Sequence, residues 1–155
     1  MRSKSLALIL ILVGSVVAVD QFRFVYNFKC TWKGREKWSY RVQFLESNFI
    51  LSDSETTQVY FGKARPGEAT GVMTGSQNGD GFSSWYEPYV EIWHDCTEYQ
   101  TEQYVRGYFE NSQVGKNANY KFTMDLTDQQ GDRNIVAKFK TSLEPFDDEI
   151  IEDVE

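Results

Sequence analysis

Histidine and cysteine are scarce in this sequence, which has one histidine and two cysteines among its 155 residues. A structural zinc site needs four such ligands, so we expect no metal site and no cofactor. The formal net charge of −7 argues against a nucleic-acid-binding protein, whose binding surface is basic. Eleven glycines and three prolines are too few for a linker-like or collagen-like chain. The composition therefore favours a folded domain that does not bind nucleic acid.

Residues 1–18 have the pattern of a secretory signal peptide. Arg2 and Lys4 precede an apolar run, and the small residue Ala18 ends it. The alternative is a membrane anchor, but the run is shorter than the roughly 20 residues of a spanning helix, and no second run follows. We expect cleavage after Ala18, a secreted extracellular protein and no transmembrane span.

The chain ends in an acidic segment, residues 144–155, which contains no lysine or arginine. Its carboxylates repel one another and bury little surface, so we expect a solvated, disordered tail. The remaining residues, 19–143, are predicted to form one domain.

Large apolar side chains recur at every second position, which is typical of half-buried β-strands. The clearest runs are residues 22–32, 38–44, 120–126 and 135–139, and weaker ones are 57–63, 70–74, 87–94 and 102–109. We expect the first two runs to form a hairpin or nearby connection, and residues 120–139 to form a second hairpin. No stretch of the predicted mature chain has a sustained helical period. The pattern predicts an all-β protein, an antiparallel β-sandwich of seven or eight strands, with a small barrel as the alternative.

The two cysteines, Cys30 and Cys96, are expected to form a disulfide. An oxidising compartment favours their pairing. The period of two also places each cysteine on the apolar face of its strand, and it points His94 to the same inner side.

Several segments resemble the nematode transthyretin-like family of secreted proteins. Residues 87–96, EPYVEIWHDC, are similar to that family's Pro-Tyr, alternating apolar, His-x-Cys strand. Residues 80–82, 29–34 and 41–46 resemble its Gly-x-Phe element, its first-strand cysteine and its second strand. The agreement in order and spacing extends roughly from Phe24 to Cys96.

The resemblance implies a secreted β-sandwich of the transthyretin or immunoglobulin type that acts outside the cell or at its surface. Some members of the family are similar to adaptors that recognise exposed anionic phospholipid. The family's second cysteine pair is missing here, because residues 97–109 contain no cysteine, and an acidic tail replaces the usual C-terminal segment. Hormone transport and ureide hydrolysis are not expected, because the hydrolase needs several histidines and a C-terminal Tyr-Arg-Gly-Ser element.

Catalytic chemistry has few candidate residues. His94 and Asp95 are adjacent, but consecutive residues of a strand face opposite sides, so we predict no acid–base pair and no catalytic residue. A small secreted hydrolase that uses His94 is the alternative. Asn78 and Asp80 are interpreted as turn residues rather than as calcium ligands, because the full calcium-loop pattern is absent.

A local group of bases stands out in this acidic chain. We predict that it forms a cationic and aromatic rim that binds phosphate headgroups or an acidic partner. The predicted binding residues are Lys33, Arg35, Lys37 and Arg41, together with Trp32 and Trp38, and Lys29 lies just before them. The alternative is a solvated hairpin end whose tryptophans close the sandwich.

A second candidate surface is aromatic. It consists of the outward-facing residues of two strands, Tyr89, Trp93, Tyr104, Arg106 and Tyr108, provided that these strands are neighbours. Exposed aromatic side chains suit contact with a protein or a glycan, although cross-strand packing is the alternative. The sequence therefore predicts a secreted, non-catalytic binding or adaptor protein whose partner is an extracellular protein or an anionic lipid surface. An extracellular structural protein is a further alternative.

Overall fold

Every regular element in the computed structural model is a β-strand; the model describes residues 19–48, 52–79, 81 and 83–144. The predicted signal peptide and the tail beyond Glu144 lie outside the described residues. The strands are β1 (Asp20–Cys30), β2 (Trp38–Glu46), β3 (Ser54–Glu55), β4 (Tyr60–Ala64), β5 (Gly67–Gln77), β6 (Trp85–Tyr86), β7 (Pro88–His94), β8 (Gln103–Tyr108), β9 (Ser112–Gln113), β10 (Ala118–Asp125), β11 (Gly131–Asn134) and β12 (Lys138–Lys140).

A four-stranded sheet has the order β12-β10-β1-β5. Its central strand β1 pairs antiparallel with β5 along its whole length, from Asp20 opposite Gln77 to Cys30 opposite Gly67. On its other side β1 pairs in parallel with β10. The first strand of the domain is thus held on both edges by strands that come much later in the chain.

A six-stranded sheet has the order β11-β8-β7-β2-β3, and β4 also pairs with β2. Strands β2, β7 and β8 form its antiparallel centre, whereas β11 joins β8 in parallel. A separate pair, β6 and β9, makes a two-stranded sheet.

The two large sheets pack through aromatic side chains on their inner faces. Every second residue of β1 is fully buried, beginning with Phe22 and Phe24. The ring of Phe24 stacks on that of Phe44 from β2, with the centroids 3.9 Å apart. Each such ring contributes about 1.5–3 kcal/mol through burial alone. The prediction of an all-β sandwich is confirmed, although the described residues contain twelve strands rather than seven or eight.

The disulfide between Cys30 and Cys96 is present, with the two Cα atoms 5.8 Å apart. Both cysteines are fully buried. The bond connects the end of β1 in one sheet to the residues that follow β7 in the other. The prediction from strand parity is therefore confirmed.

Two connections differ from simple hairpins. Strands β1 and β2 belong to different sheets, so residues 31–37 cross from one sheet to the other. Strands β10 and β12 do pair antiparallel, but β11 between them joins the opposite sheet. Alternation shows which face of a strand is buried, and both arrangements bury the same faces, so the pattern does not distinguish them.

Candidate functional site

Arg35 of the predicted basic cluster is part of the fold. Its guanidinium donates to the main-chain oxygens of Asp95, at 2.7 Å, and of Thr97. It also lies 3.9 Å from the Asp95 carboxylate, and its side chain is only 6% exposed. Arg35 therefore fastens the loop of residues 31–37 to the segment that follows β7, and it is not available to a ligand.

The two tryptophans of the cluster do not form an exposed rim. Trp38 is 1% exposed, and its indole nitrogen donates to the main-chain oxygen of Arg65 at 3.0 Å. Trp32 is partly buried and packs against the hydrophobic core. Lys33 and Lys37 are exposed and have no ion pair with any described residue. Of the bases in this loop, Lys33 and Lys37 are therefore the ones that a ligand can reach from solvent.

Arg41 lies apart from the loop, on the outer face of the six-stranded sheet. Its guanidinium carbon is 3.9 Å from the centroid of the Trp93 ring, a cation–π contact. Its Nε atom is buried and has no hydrogen-bond partner, and no described carboxylate lies within ion-pair distance of the group. Arg41 is thus a positioned guanidinium that retains unused hydrogen-bonding capacity.

The register of the sheet builds a row of large side chains around Arg41. Arg41 pairs with Phe61 of β4 on one side and with Trp93 of β7 on the other. Trp93 pairs in turn with Tyr104 of β8, and their ring centroids are 5.1 Å apart. Phe61 is 72% exposed. We call this surface the cation–aromatic face, and it comprises Arg41, Phe61, Glu91, Trp93, Tyr104, Arg106 and Tyr108.

A charged group holds the centre of the cation–aromatic face in place. Glu91 accepts hydrogen bonds from Arg106 at 2.7 Å and from the Tyr104 hydroxyl at 2.6 Å. Burial and the hydrogen bond to Glu91 raise the pKa of Tyr104 to about 12, so the phenol is protonated at neutral pH. The hydrogen bond to Glu91 also raises the pKa of Arg106 above its ordinary value. These groups satisfy one another, whereas Arg41 does not take part.

Strands β7 and β8 are neighbours, as the second candidate surface requires. Trp93, Tyr104, Arg106 and Tyr108 are partly or fully exposed on one face. Tyr89 differs, because it is 2% exposed and its hydroxyl donates to Asp53 at 2.7 Å. It packs beneath the surface rather than on it. Burial and this hydrogen bond raise the pKa of Tyr89.

The aromatic surface predicted from the sequence lacks three members of the cation–aromatic face, Arg41, Phe61 and Glu91. Phe61 lies in a weak strand candidate, Glu91 shares the outward side of its strand with Trp93, and closeness in sequence groups Arg41 with the loop bases. Parity does place Arg41 on the outward side of β2. The pairing of β2 with β7, which sets Arg41 beside Trp93, has no signal in a single sequence.

His94 is buried beside the disulfide, with 1% of its surface exposed. One ring nitrogen, Nε2, lies 3.0 Å from the main-chain oxygen of Gln129, and Nδ1 accepts a hydrogen bond from the Cys96 amide at 3.2 Å. Burial lowers the pKa of His94, which favours the neutral ring with its proton on Nε2. Asp95 instead accepts a hydrogen bond from the Ser39 amide. Both nitrogens of His94 are therefore occupied by main-chain groups.

Within the described ranges, no group of three or more histidine, cysteine, aspartate or glutamate side chains is placed to hold a metal ion. Asp80 of the turn considered for calcium lies outside the described residues. In the same part of the chain, no helix has the length and apolar character that crossing a membrane requires.

This chain was compared with protein-family models, curated proteins and solved structures. No protein-family model, curated protein or solved structure matches this chain.

Proposed function

We propose that this chain is a secreted, non-catalytic binding protein, and that the cation–aromatic face binds an extracellular protein partner. The observation that carries the proposal is Arg41, a partly exposed residue whose guanidinium carbon lies 3.9 Å from the centroid of the Trp93 ring and which has no described carboxylate within ion-pair distance. A partner oxygen beside this guanidinium gains a charge-assisted hydrogen bond that no described carboxylate already occupies. Such an oxygen belongs to a carboxylate or a main-chain carbonyl of the partner.

The composition of the face favours a protein over a small molecule. Trp, Tyr and Arg are the residues most enriched at the energetic centres of protein interfaces. Here they lie side by side on neighbouring strands, with the exposed ring of Phe61 at the edge. A small ligand prefers a concave site that covers most of its surface, whereas a sheet face offers a broad contact.

Three observations support a secreted protein without catalysis. Residues 1–18 have the pattern of a signal peptide, and a disulfide suits an oxidising compartment. His94, the only histidine, has both ring nitrogens bound to main-chain groups. Membership of the nematode transthyretin-like family is part of the same proposal and rests on the sequence resemblance.

The test compares two arginines in matched positions. Arg23 lies on the outer side of β1, is partly buried like Arg41, and also has a buried nitrogen without a partner. Among the described residues no aromatic ring lies against it in a cation–π contact. Tagged wild-type protein, Arg41→Gln and Arg23→Gln are used to capture cross-linked partners from extracellular fluid, with quantitative mass spectrometry as the readout.

We expect a set of proteins that wild type and Arg23→Gln enrich equally and that Arg41→Gln enriches about tenfold less. Affinity measurement with the recovered protein then checks the same ratio. Equal enrichment by all three proteins contradicts the assignment of the face. Enrichment that requires lipid in the fluid points instead to a membrane.

Anionic lipid at the loop of residues 31–37 is the second candidate. It is favoured by Lys33 and Lys37, which are exposed and lack an ion pair among the described residues. Each lysine near an anionic membrane contributes about 1 kcal/mol. Changing Lys33 and Lys37 together to Glu is expected to abolish binding to phosphatidylserine vesicles at physiological salt. A wild-type protein that ignores these vesicles contradicts this candidate and leaves the cation–aromatic face unaffected.

A further inference from the structure

One edge of the four-stranded sheet is the long strand β5. It pairs with β1 on one side, and in the described part of the chain no strand pairs with its other side. β5 spans 11 residues, whereas β12 at the opposite edge of the sheet has 3. Proteins protect a long edge with lysine, proline or a covering segment, because an unpaired edge is a template for another strand. Residues 69–77, ATGVMTGSQ, contain no proline and no charged side chain.

The register shows which main-chain groups of β5 point away from β1. In an antiparallel pair, residues that bond to the partner strand alternate with residues whose main-chain groups face away from it. The Ser76 N–H faces away, because it donates to the main-chain oxygen of Thr56 at 3.2 Å. Alternation then directs the N–H and C=O groups of Thr70, Val72 and Thr74 outward as well. No residue within the described ranges hydrogen-bonds to these outward groups.

The side chains along this edge are open to solvent. Thr70 and Thr74 are exposed on the outer face of the sheet, and Val72 between them is 55% exposed. Gly71 and Met73 alternate with them on the inner side and are partly buried. Because Thr56 already occupies the edge at Ser76, the free part of the edge is residues 70–74, and Val72 is its midpoint.

The free part of the edge is complementary to a second copy of itself. A two-fold axis beside Val72 sets Val72 of one copy opposite Val72 of the other, and Thr70 opposite Thr74. Each of these pairs exchanges both of its N–H···O=C hydrogen bonds. Met73 then lies opposite Gly71 of the second copy, so a long side chain meets a residue that has none. Such pairs of β-branched residues stabilise neighbouring strands, and no like charges face each other.

We propose that two copies of this chain associate through their β5 edges, antiparallel about Val72, so that the two four-stranded sheets join into one continuous sheet. In a chain with a net charge of −7, this uncharged stretch lets two copies approach with little repulsion. So short an interface is weak, and we expect a Kd of about 10–100 µM. The cation–aromatic face belongs to the other sheet and remains free in this dimer.

The test places charges at the two-fold axis. Val72→Lys and Val72→Glu each set like charges directly opposite one another in a dimer of the single variant, whereas an equal mixture sets Lys opposite Glu. Val136→Lys is the matched control, because Val136 is a 95% exposed valine in the connection between β11 and β12, away from the β5 edge. The full chain is expressed in secreting cells, and sedimentation of each purified protein over a concentration series gives the Kd of the dimer.

We expect wild type and Val136→Lys to dimerise with the same Kd, and each Val72 variant alone to dimerise at least about tenfold more weakly. The equal mixture is expected to recover the affinity of wild type. A wild-type protein that stays monomeric over the series overturns the proposal. A dimer that both Val72 variants leave unchanged overturns it as well.

Amide hydrogen exchange of wild type, measured by NMR, locates the contact even if a Val72 variant does not fold. In dilute solution the N–H groups of Thr70, Val72 and Thr74 face solvent and exchange fast, whereas those of Gly71 and Met73 bond to β1 and are protected. In concentrated solution we expect the three outward amides to exchange at least about tenfold more slowly. A dimer in which they still exchange fast uses another surface and contradicts the pairing of the β5 edges.

Discussion

The loop of residues 31–37 and the cation–aromatic face each contain one arginine of the basic cluster, Arg35 and Arg41. Arg35 donates to two main-chain oxygens and lies near a carboxylate, so its charge is used within the fold. Arg41 rests on an aromatic ring and has a buried nitrogen with no acceptor. Two arginines that are close in sequence thus differ in whether the fold occupies their hydrogen-bond donors.

The difference shows that the acceptors around a base decide whether it is available for binding. A guanidinium has five N–H donors, and main-chain carbonyls at the end of a strand can occupy most of them. The face of a sheet offers no such carbonyls, because its main-chain groups bond to neighbouring strands. A basic side chain on a loop is therefore more easily occupied by hydrogen bonds to main-chain carbonyls than a basic side chain on the face of a sheet.

The largest expected effect comes from breaking the disulfide that frames the loop. Cys96 lies between Asp95 and Thr97, the two residues that Arg35 holds, and its partner Cys30 is 66 residues away in sequence. Changing both cysteines to Ala is expected to lower the free energy of unfolding by about 4 kcal/mol in the chain-entropy model. Urea unfolding measures the loss. A loss below about 1 kcal/mol contradicts a structural role for the bond.

Arg35 is expected to have the next largest effect. Arg35→Gln leaves the main-chain oxygens of Asp95 and Thr97 without their charged donor, which costs about 2 kcal/mol of unfolding free energy. Lys37→Gln in the same loop is the control, because Lys37 is exposed and is expected to change stability by less than about 0.5 kcal/mol. Equal effects in the two variants contradict the fastening role.

His94 is expected to make stability depend on pH. Burial lowers its pKa in the folded state, whereas the unfolded chain has the ordinary value of about 6.5. The unfolded state therefore binds more protons as the pH falls through that value, and the folded state loses stability. The slope is at most about 1.4 kcal/mol per pH unit.

The measurement is urea unfolding of untagged protein between about pH 7.5 and 5.5, a window above the ordinary carboxylate pKa values. Since His94 is the only histidine, His94→Gln is expected to flatten the dependence in this window. A variant that keeps the full slope shows that another group is responsible.

Strand parity predicted the faces of the main strands and hence the disulfide, because burial on one side of a sheet requires alternation. Parity also placed Trp38 on the apolar side with Tyr40, as the structure does. The hypothesis of an exposed tryptophan rim rests on closeness in sequence alone, and it is wrong for Trp38, which is 1% exposed.

The cation–aromatic face depends on pairings between distant segments. Arg41 meets Trp93 only because β2 pairs with β7 in one register, and Phe61 joins them only because β4 pairs with the other edge of β2. A shift of one residue would turn these side chains to the opposite side, yet no local pattern in the sequence specifies the partners. The register in which distant strands pair could therefore not be predicted from this single sequence.

Arg41 is expected to affect stability far less than Arg35 does, and this difference tests the comparison of the two arginines. Loss of its cation–π contact costs about 0.5–1 kcal/mol, and removal of its unpaired buried donor offsets part of that cost. Arg41→Gln is therefore expected to change the unfolding free energy by less than about 0.5 kcal/mol, as is the matched Arg23→Gln. Urea unfolding of these two variants and of Arg35→Gln measures the three changes in unfolding free energy.

The outcome for Arg41→Gln distinguishes two roles. If Arg41→Gln costs as much stability as Arg35→Gln, then Arg41 stabilises the fold, and any loss of partner binding in that variant reflects unfolding rather than recognition. If it costs almost nothing while partner capture falls tenfold, the two arginines are separated by function as they are by geometry.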